Sequence, residues 1–202
     1  MGRAKISVVW RVLLITDSSV KVNRNLRPAV FLDRDGTLIE DTGYLADPAG
    51  ISFYPGIPEA LRKLQDGGYL IVVITNQSGI GRGYFDEETA LAVNLAMVDM
   101  LSEKGVSVAA VYYCPHHPEN KCSCRKPDLL MVNRAFGDLE VDSSRSWVVG
   151  DLDKDIWTAR NAGIRPILVE TGMVEKGDIP GDVKRCKTVV EAVEHILKEG
   201  VV

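Results

Sequence analysis

The chain has 202 residues, 46% hydrophobic and 26% charged, which is enough for one well-buried core and short for two. A formal net charge of −4 and the lack of any basic run argue against a nucleic-acid surface, and no stretch reaches the roughly 18 apolar residues of a membrane span. A small anionic metabolite is the better-matched partner, and a monomer is expected.

Residues 1–26 are expected to form an extension, disordered or adding an edge strand. Arg3 and Lys5 lead into the apolar run Ile6–Ile15, a faint likeness to a secretory signal. Arg11 breaks that run and no clean cleavage site follows, so a cytoplasmic location is expected. A single domain over 27–202 then alternates strand and helix. Strands are predicted at 29–33, 69–75, 108–113, 146–150 and 166–170, and helices at 57–67, 87–104, 128–137, 153–162 and 189–199. Pro55-Gly56 precedes the first helix, Asp86-Glu87-Glu88 gives the second an acidic opening, and Gly67-Gly68 and Gly163 close helices. The alternation predicts an α/β fold, a doubly wound, Rossmann-like parallel sheet covered on both faces. Leu61, Leu64, Leu91, Leu95, Val98 and Leu101 recur at helical spacing and are assigned to its core.

Four segments carry chemistry: 31–37 (FLDRDGT), 74–78 (ITNQS), 124–128 (CRKPD) and 148–155 (VVGDLDKD). Phosphoryl transfer needs an in-line nucleophile and electrostatic cover for the phosphoryl oxygens. Asp33 can attack phosphorus once a cation removes its repulsion with the phosphate. Asp35, two residues on, leaves an extended segment on the same side, where it can protonate the leaving oxygen and then deprotonate water. Thr75 ends an apolar run and offers a hydroxyl, with backbone N–H groups following. Lys126 offers a mobile point charge, and Asp151 and Asp155 offer the hard oxygens that Mg²⁺ selects. Most of these residues are predicted at strand C-termini, the edge where open α/β sheets bind ligands.

Three of the four cysteines crowd into 114–124 (CPHHPENKCSC). Cys114, His116, Cys122 and Cys124 make a set suited to tetrahedral Zn²⁺, and four protein ligands would close its shell, as in a structural site. The competing reading is a disulfide from Cys114 to one of the later pair. That leaves His116 unexplained and needs an oxidising compartment. His117 should point away if His116 points in, and Cys186 reads as a small buried hydrophobe. Cys124 directly precedes Arg125 and Lys126, so a metal-fixed loop would set where both cations project, and Arg125 could grip a phosphate bidentately.

The four segments in this order resemble the motifs of the haloacid dehalogenase-like superfamily, and the acidic residue at position 35 resembles its phosphatase branch. The resemblance implies that Asp33 is nucleophile and Mg²⁺ ligand, and that Asp35 is acid/base and gives its backbone carbonyl to the metal. It implies that Thr75 and Lys126 hold the phosphoryl group and that Asp151 ligates Mg²⁺, with Asp155 acting directly or through a neighbour. The cysteine segment is similar to that of the branch holding the heptose bisphosphate and histidinol phosphate phosphatases. That likeness implies sugar or phosphate contacts from Asp41, Thr42, Gly43, Tyr44, Asn76, Gln77, Ser78, Arg125 and Lys126. One departure is Leu152, directly after Asp151, where heptose members carry Lys; the nearest here is Lys154. The intervals between motifs leave no room for a separate cap domain. The implied activity is Mg²⁺-dependent removal of the C7 phosphate of D-glycero-D-manno-heptose 1,7-bisphosphate through an aspartyl-phosphate. The alternatives are histidinol phosphate, whose amine could meet Glu40 or Asp41, and a zinc-stabilised binding protein that turns nothing over. Nucleic-acid end processing is disfavoured by the lack of basic surface.

Overall fold

Ala29-Val30-Phe31-Leu32 is apolar at four successive positions and buried at all four, the pattern of a parallel strand covered on both faces. In the computed structural model, which describes residues 10–12, 26–172 and 177–200, this strand lies at the middle of the sheet. In chain order the strands are β1 (Trp10–Val12), β2 (Ala29–Leu32), β3 (Leu70–Asn76), β4 (Val108–Cys114), β5 (Trp147–Gly150), β6 (Arg165–Val169) and β7 (Lys184–Cys186). Their spatial order is β1-β4-β3-β2-β5-β6-β7. Every pairing is parallel except that of β1, which runs antiparallel to β4. The remaining expectations for residues 1–25 lie outside the described residues.

The helices are α1 (Ile57–Asp66), α2 (Ser78–Gly81), α3 (Glu87–Glu103), α4 (Leu130–Leu139), α5 (Asp153–Asn161) and α6 (Val189–Glu199). Alternation along β2 divides the core. Val30 and Leu32 join one apolar cluster with residues of α1, α3 and α6, while Ala29 and Phe31 join another with residues of α4 and α5. Each fully buried aliphatic or aromatic side chain there contributes about 1.5–3 kcal/mol. Side chains fix the helix starts: the Asp86 carboxylate accepts from Thr89 N at 2.8 Å, and the Thr188 hydroxyl accepts from Glu191 N at 3.2 Å. Among the described residues no helix is long and apolar enough to cross a membrane.

Three expectations need correction. The buried face of α3 is Ala90, Val93, Asn94, Met97, Val98 and Leu101, whereas Leu95 is 37% exposed and Leu91 half-buried. That helix is apolar nearly all round, so leucine spacing alone does not select a face. The helix predicted from 128 begins at Leu130. Strand β7 escapes prediction because Lys184 and Arg185 are both exposed, which hides any alternation.

The chain runs from β2 outward through β3 to β4, then returns to the other side of β2 as β5. This reversal opens a crevice at the C-terminal ends of β2 and β5, where ligands bind in such sheets.

Candidate active site

Asp33 follows the last residue of β2 and Asp151 the last residue of β5, so adjacent strands deliver two carboxylates to that crevice. Asp155, in the first turn of α5, adds a third. The three offer oxygens all within 4.8 Å of one another, and exposure is 5% for Asp33 and 1% for Asp151 and Asp155. Lys126 reaches them from the loop after β4, its Nζ 2.9 Å from Asp33 Oδ1 and 2.6 Å from Asp155 Oδ1. The same ammonium donates to Ile74 O at 2.8 Å. Lys126 was expected to be mobile; it is instead buried and locked by three acceptors. Burial alone would depress its pKa, but the carboxylates of Asp155 and Asp33 more than offset that and hold it charged.

One lysine does not neutralise three carboxylates. Burial, then the charges of Asp33 and Asp155, push Asp151 up to about 7 against the opposing pull of Lys126, and burial raises Asp155 as well. A cluster of hard oxygens whose charge the protein leaves uncompensated fits a divalent cation such as Mg²⁺. Gly36 is part of this construction. Its φ is +79°, and a Cβ there would stand 2.5 Å from Asp151 Oδ2, so only glycine lets the turn after Asp35 pass so close.

Asp35 stands apart from the three-carboxylate cluster. Its oxygens accept from Arg34 Nε and Nη2 at 3.0–3.1 Å and from Gln77 Nε2 at 2.8 Å. Gln77 Nε2 also donates to Thr75 Oγ1 at 2.9 Å, linking the end of β3 to Asp35.

Above these groups opens a cavity of about 250 Å³ lined by Asp33, Asp35, Thr75 and Lys154, with Asp41, Gly43 and Tyr44 on one side and Asn76, Gln77 and Ser78 on another. Thr42 faces a neighbouring hollow with Glu40, Tyr54 and Thr171. Arg125 does not line the central cavity. It borders a separate hollow beside Pro118–Cys122 and Asp128, with its Nη1 buried and unpartnered. Lys126 also borders that hollow, but its Nζ reaches inward to Asp33 and Asp155, whereas Arg125 reaches neither.

Cys114 ends β4, and its Sγ lies 3.7 Å from Cys122 Sγ and 3.1 Å from Cys124 Sγ. His116 Nδ1 is 3.5 Å from Cys114 Sγ and 3.1 Å from Cys124 Sγ. Sulfurs bound at about 2.3 Å to one tetrahedral centre lie roughly 3.8 Å apart; the Cys114–Cys122 spacing matches that, and the closer Cys114–Cys124 pair would have to widen to take zinc. Both spacings are too long for the S–S bond of the competing reading, and all four cysteines are free. Hydrogen bonding from Cys124, with help from His116 and Cys122, lowers the Cys114 thiol to about 5 despite burial, while the same contact and burial push the Cys124 thiol up, so without a metal Cys114 is the thiolate and Cys124 holds the proton that metal binding would release. His117 turns aside, accepting from Glu119 N at 3.3 Å. The loop is seated on α2, where a Cβ on Gly81 would stand 2.1 Å from His117 N.

A family profile described as HAD-hydrolase-like matches residues 123–196. The chain is 46% identical over 72% of its length to the D-glycero-beta-D-manno-heptose-1,7-bisphosphate 7-phosphatase of Haemophilus ducreyi, covering 85% of that protein. The chain belongs to the heptose-bisphosphate phosphatase family of haloacid dehalogenase-like hydrolases. The Pasteurella multocida enzyme of the same name is 40% identical over 86% of this chain and 96% of its own length. The family fold recurs in the crystal structure of D,D-heptose 1,7-bisphosphate phosphatase from B. bronchiseptica complexed with magnesium and phosphate. That structure is 33% identical, with a TM-score of 0.78 over 85% of this chain and 99% of that one. A HAD-like phosphatase structure from Mesorhizobium loti scores 0.80 at 32% identity, over 96% of this chain and 95% of that one.

For this family member, sequence reasoning missed Arg34, Asn94 and Tyr84 and left Lys154 unassigned. Arg34 stood inside a recognised motif, where a buried charge has no sequence signal of its own. Lys154 lines the cavity three residues beyond Asp151. Tyr84 packs edge-on to Tyr44 with ring centroids 4.7 Å apart, a contact between loops that share no spacing rule.

Proposed function

We propose that this protein is a Mg²⁺-dependent phosphatase that removes the C7 phosphate of D-glycero-D-manno-heptose 1,7-bisphosphate. The observation that carries the reading is the Lys126-bridged cluster of Asp33, Asp151 and Asp155 beneath a cavity rimmed by Asp35, in a chain whose relatives bear that enzyme's name. Asp33 attacks phosphorus while the C7 oxygen–phosphorus bond breaks, and Asp35 gives its proton to the departing sugar oxygen. Asp35 then takes a proton from the water that attacks the aspartyl-phosphate, releasing inorganic phosphate and restoring Asp33. The Thr75 hydroxyl covers a phosphoryl oxygen, and the Lys126 ammonium, held on Asp33 Oδ1 and Asp155 Oδ1 beneath the cavity, lends its positive charge to the phosphoryl group through the nucleophile. Asp33, Asp151 and the Asp35 carbonyl, with Asp155 beside them, would hold a magnesium ion, which would supply the charge that cancels repulsion between nucleophile and phosphate. Cys114, His116, Cys122 and Cys124 would hold a zinc ion, which would fix the loop that delivers Lys126. Asp41, Gly43, Tyr44, Asn76–Ser78 and Lys154 face the sugar.

The test is phosphate release by the Mg²⁺-supplemented protein on heptose 1,7-bisphosphate and histidinol phosphate at matched concentrations. A preference of several hundredfold for the bisphosphate, roughly 4 kcal/mol of transition-state discrimination, is expected. Equal rates, or a preference for histidinol phosphate, would overturn the substrate assignment while leaving the phosphatase chemistry in place.

A further inference from the structure

Arg34 is 1% exposed although it carries a full charge and sits between two carboxylates of the site, and the chemistry above gives it no task. Its guanidinium is spoken for on every side. Nε and Nη2 form a fork on Asp35 at 3.0–3.1 Å, and Nη1 donates to Asn94 Oδ1 at 2.7 Å. Asn94 belongs to the buried face of α3, whose other members are Ala90, Val93, Met97, Val98 and Leu101. It is itself fully buried, and its Nδ2 has no partner. An apolar residue at 94 would spare that orphaned donor, and an apolar residue at 34 would spare a buried guanidinium. What both groups accomplish together is to hold the fork, and so the Asp35 carboxylate, in one orientation at the cavity wall.

We infer that Arg34, clamped by Asn94, is the positioning residue for the acid/base Asp35, so that α3 sets the geometry of proton transfer without touching substrate. This rests on the phosphatase reading. Proton delivery matters when the leaving group is a sugar alkoxide and matters little when it is p-nitrophenolate, which departs as an anion. For an enzyme that forms an aspartyl-phosphate, kcat/KM reports the first transfer, in which that difference is felt.

The experiment compares wild type, Asn94→Leu and Arg34→Lys, all Mg²⁺-loaded, on heptose 1,7-bisphosphate and on p-nitrophenyl phosphate. Asn94→Leu is expected to lower kcat/KM on the sugar phosphate at least about tenfold and to change it less than about threefold on the nitrophenyl ester. Arg34→Lys, which keeps the charge but not the fork, should show the same asymmetry. Asn94→Asp, which keeps an acceptor for Nη1, should recover most of the loss. Equal losses on both esters would mean a packing role, and no loss on either would mean that Asp35 needs no clamp; both overturn the inference. A wild type inactive on both esters would instead overturn the phosphatase reading, and this inference with it.

Discussion

The carboxylate cluster and the thiol loop are both arranged for a metal, but they are built in opposite ways. The carboxylates come from β2, β5 and α5, are 5% exposed or less, and are positioned by a sheet that folds for its own hydrophobic reasons. The thiol and imidazole ligands all fall within 114–124. Of these, His116 and Cys122 are only half-buried, and little apolar burial supports the residues between them. In the first region the fold makes the site and the ion completes its charge. In the second a bound ion would make the local structure. The first therefore suits chemistry with an exchangeable cation, and the second suits permanence.

The largest expected effect tests the first half of that contrast. Asp33→Asn should lower phosphate release by about a thousandfold or more, because the nucleophile is gone. Circular dichroism and the thermal midpoint should stay near wild type, since the sheet does not depend on that charge. A variant that lost its fold would show that the carboxylates are structural after all.

The second prediction concerns the loop. Cys124→Ser should reduce bound zinc, measured by elemental analysis, and lower kcat/KM by about 10–100-fold, the usual scale for groups that orient a site from behind. The reason is proximity in the chain: Lys126, two residues on, carries the ammonium on Asp33. Asn76 would hold part of that geometry, since its Oδ1 accepts from Lys126 N at 3.0 Å. Asp33→Asn should leave zinc content unchanged. Full activity without zinc would show that the loop does not place Lys126.

The same contrast explains what could be read from the sequence. Strand cores such as Val30–Leu32 and Ile71–Ile74 were legible because burial on both faces leaves a run of apolar letters, and the carboxylates were legible because they follow those runs directly. The thiol ligands were legible from their tight spacing. What escaped depends on side chains meeting across the fold. Nothing in the sequence of α3 says that Asn94 faces inward to Arg34, because the helix is apolar on both sides. Nor does adjacency say that Lys126 turns into the cluster while Arg125 turns to another hollow; only the path of the loop decides that.

The smallest effect, and the sharpest test of the charge argument, is the pH dependence of stabilisation by Mg²⁺. Without the ion, Asp151 titrates near 7 in the folded protein instead of its ordinary 3.8, and Asp155 is shifted in the same direction. The native state then holds protons that the unfolded chain has released. The stability these groups contribute is therefore present below about pH 4 and is lost as pH rises through about 7. Lys126, held charged throughout, does not reverse the trend in this window. A divalent cation binds the ionised carboxylates, so its stabilisation should grow over the range in which the metal-free protein weakens. The shift in thermal midpoint on adding Mg²⁺ should be several degrees larger at pH 8 than at pH 5, read in the same buffer series with the metal-free protein as reference. Equal shifts at both values would mean that the carboxylates are already ionised without the metal, and that Lys126 alone balances the cluster.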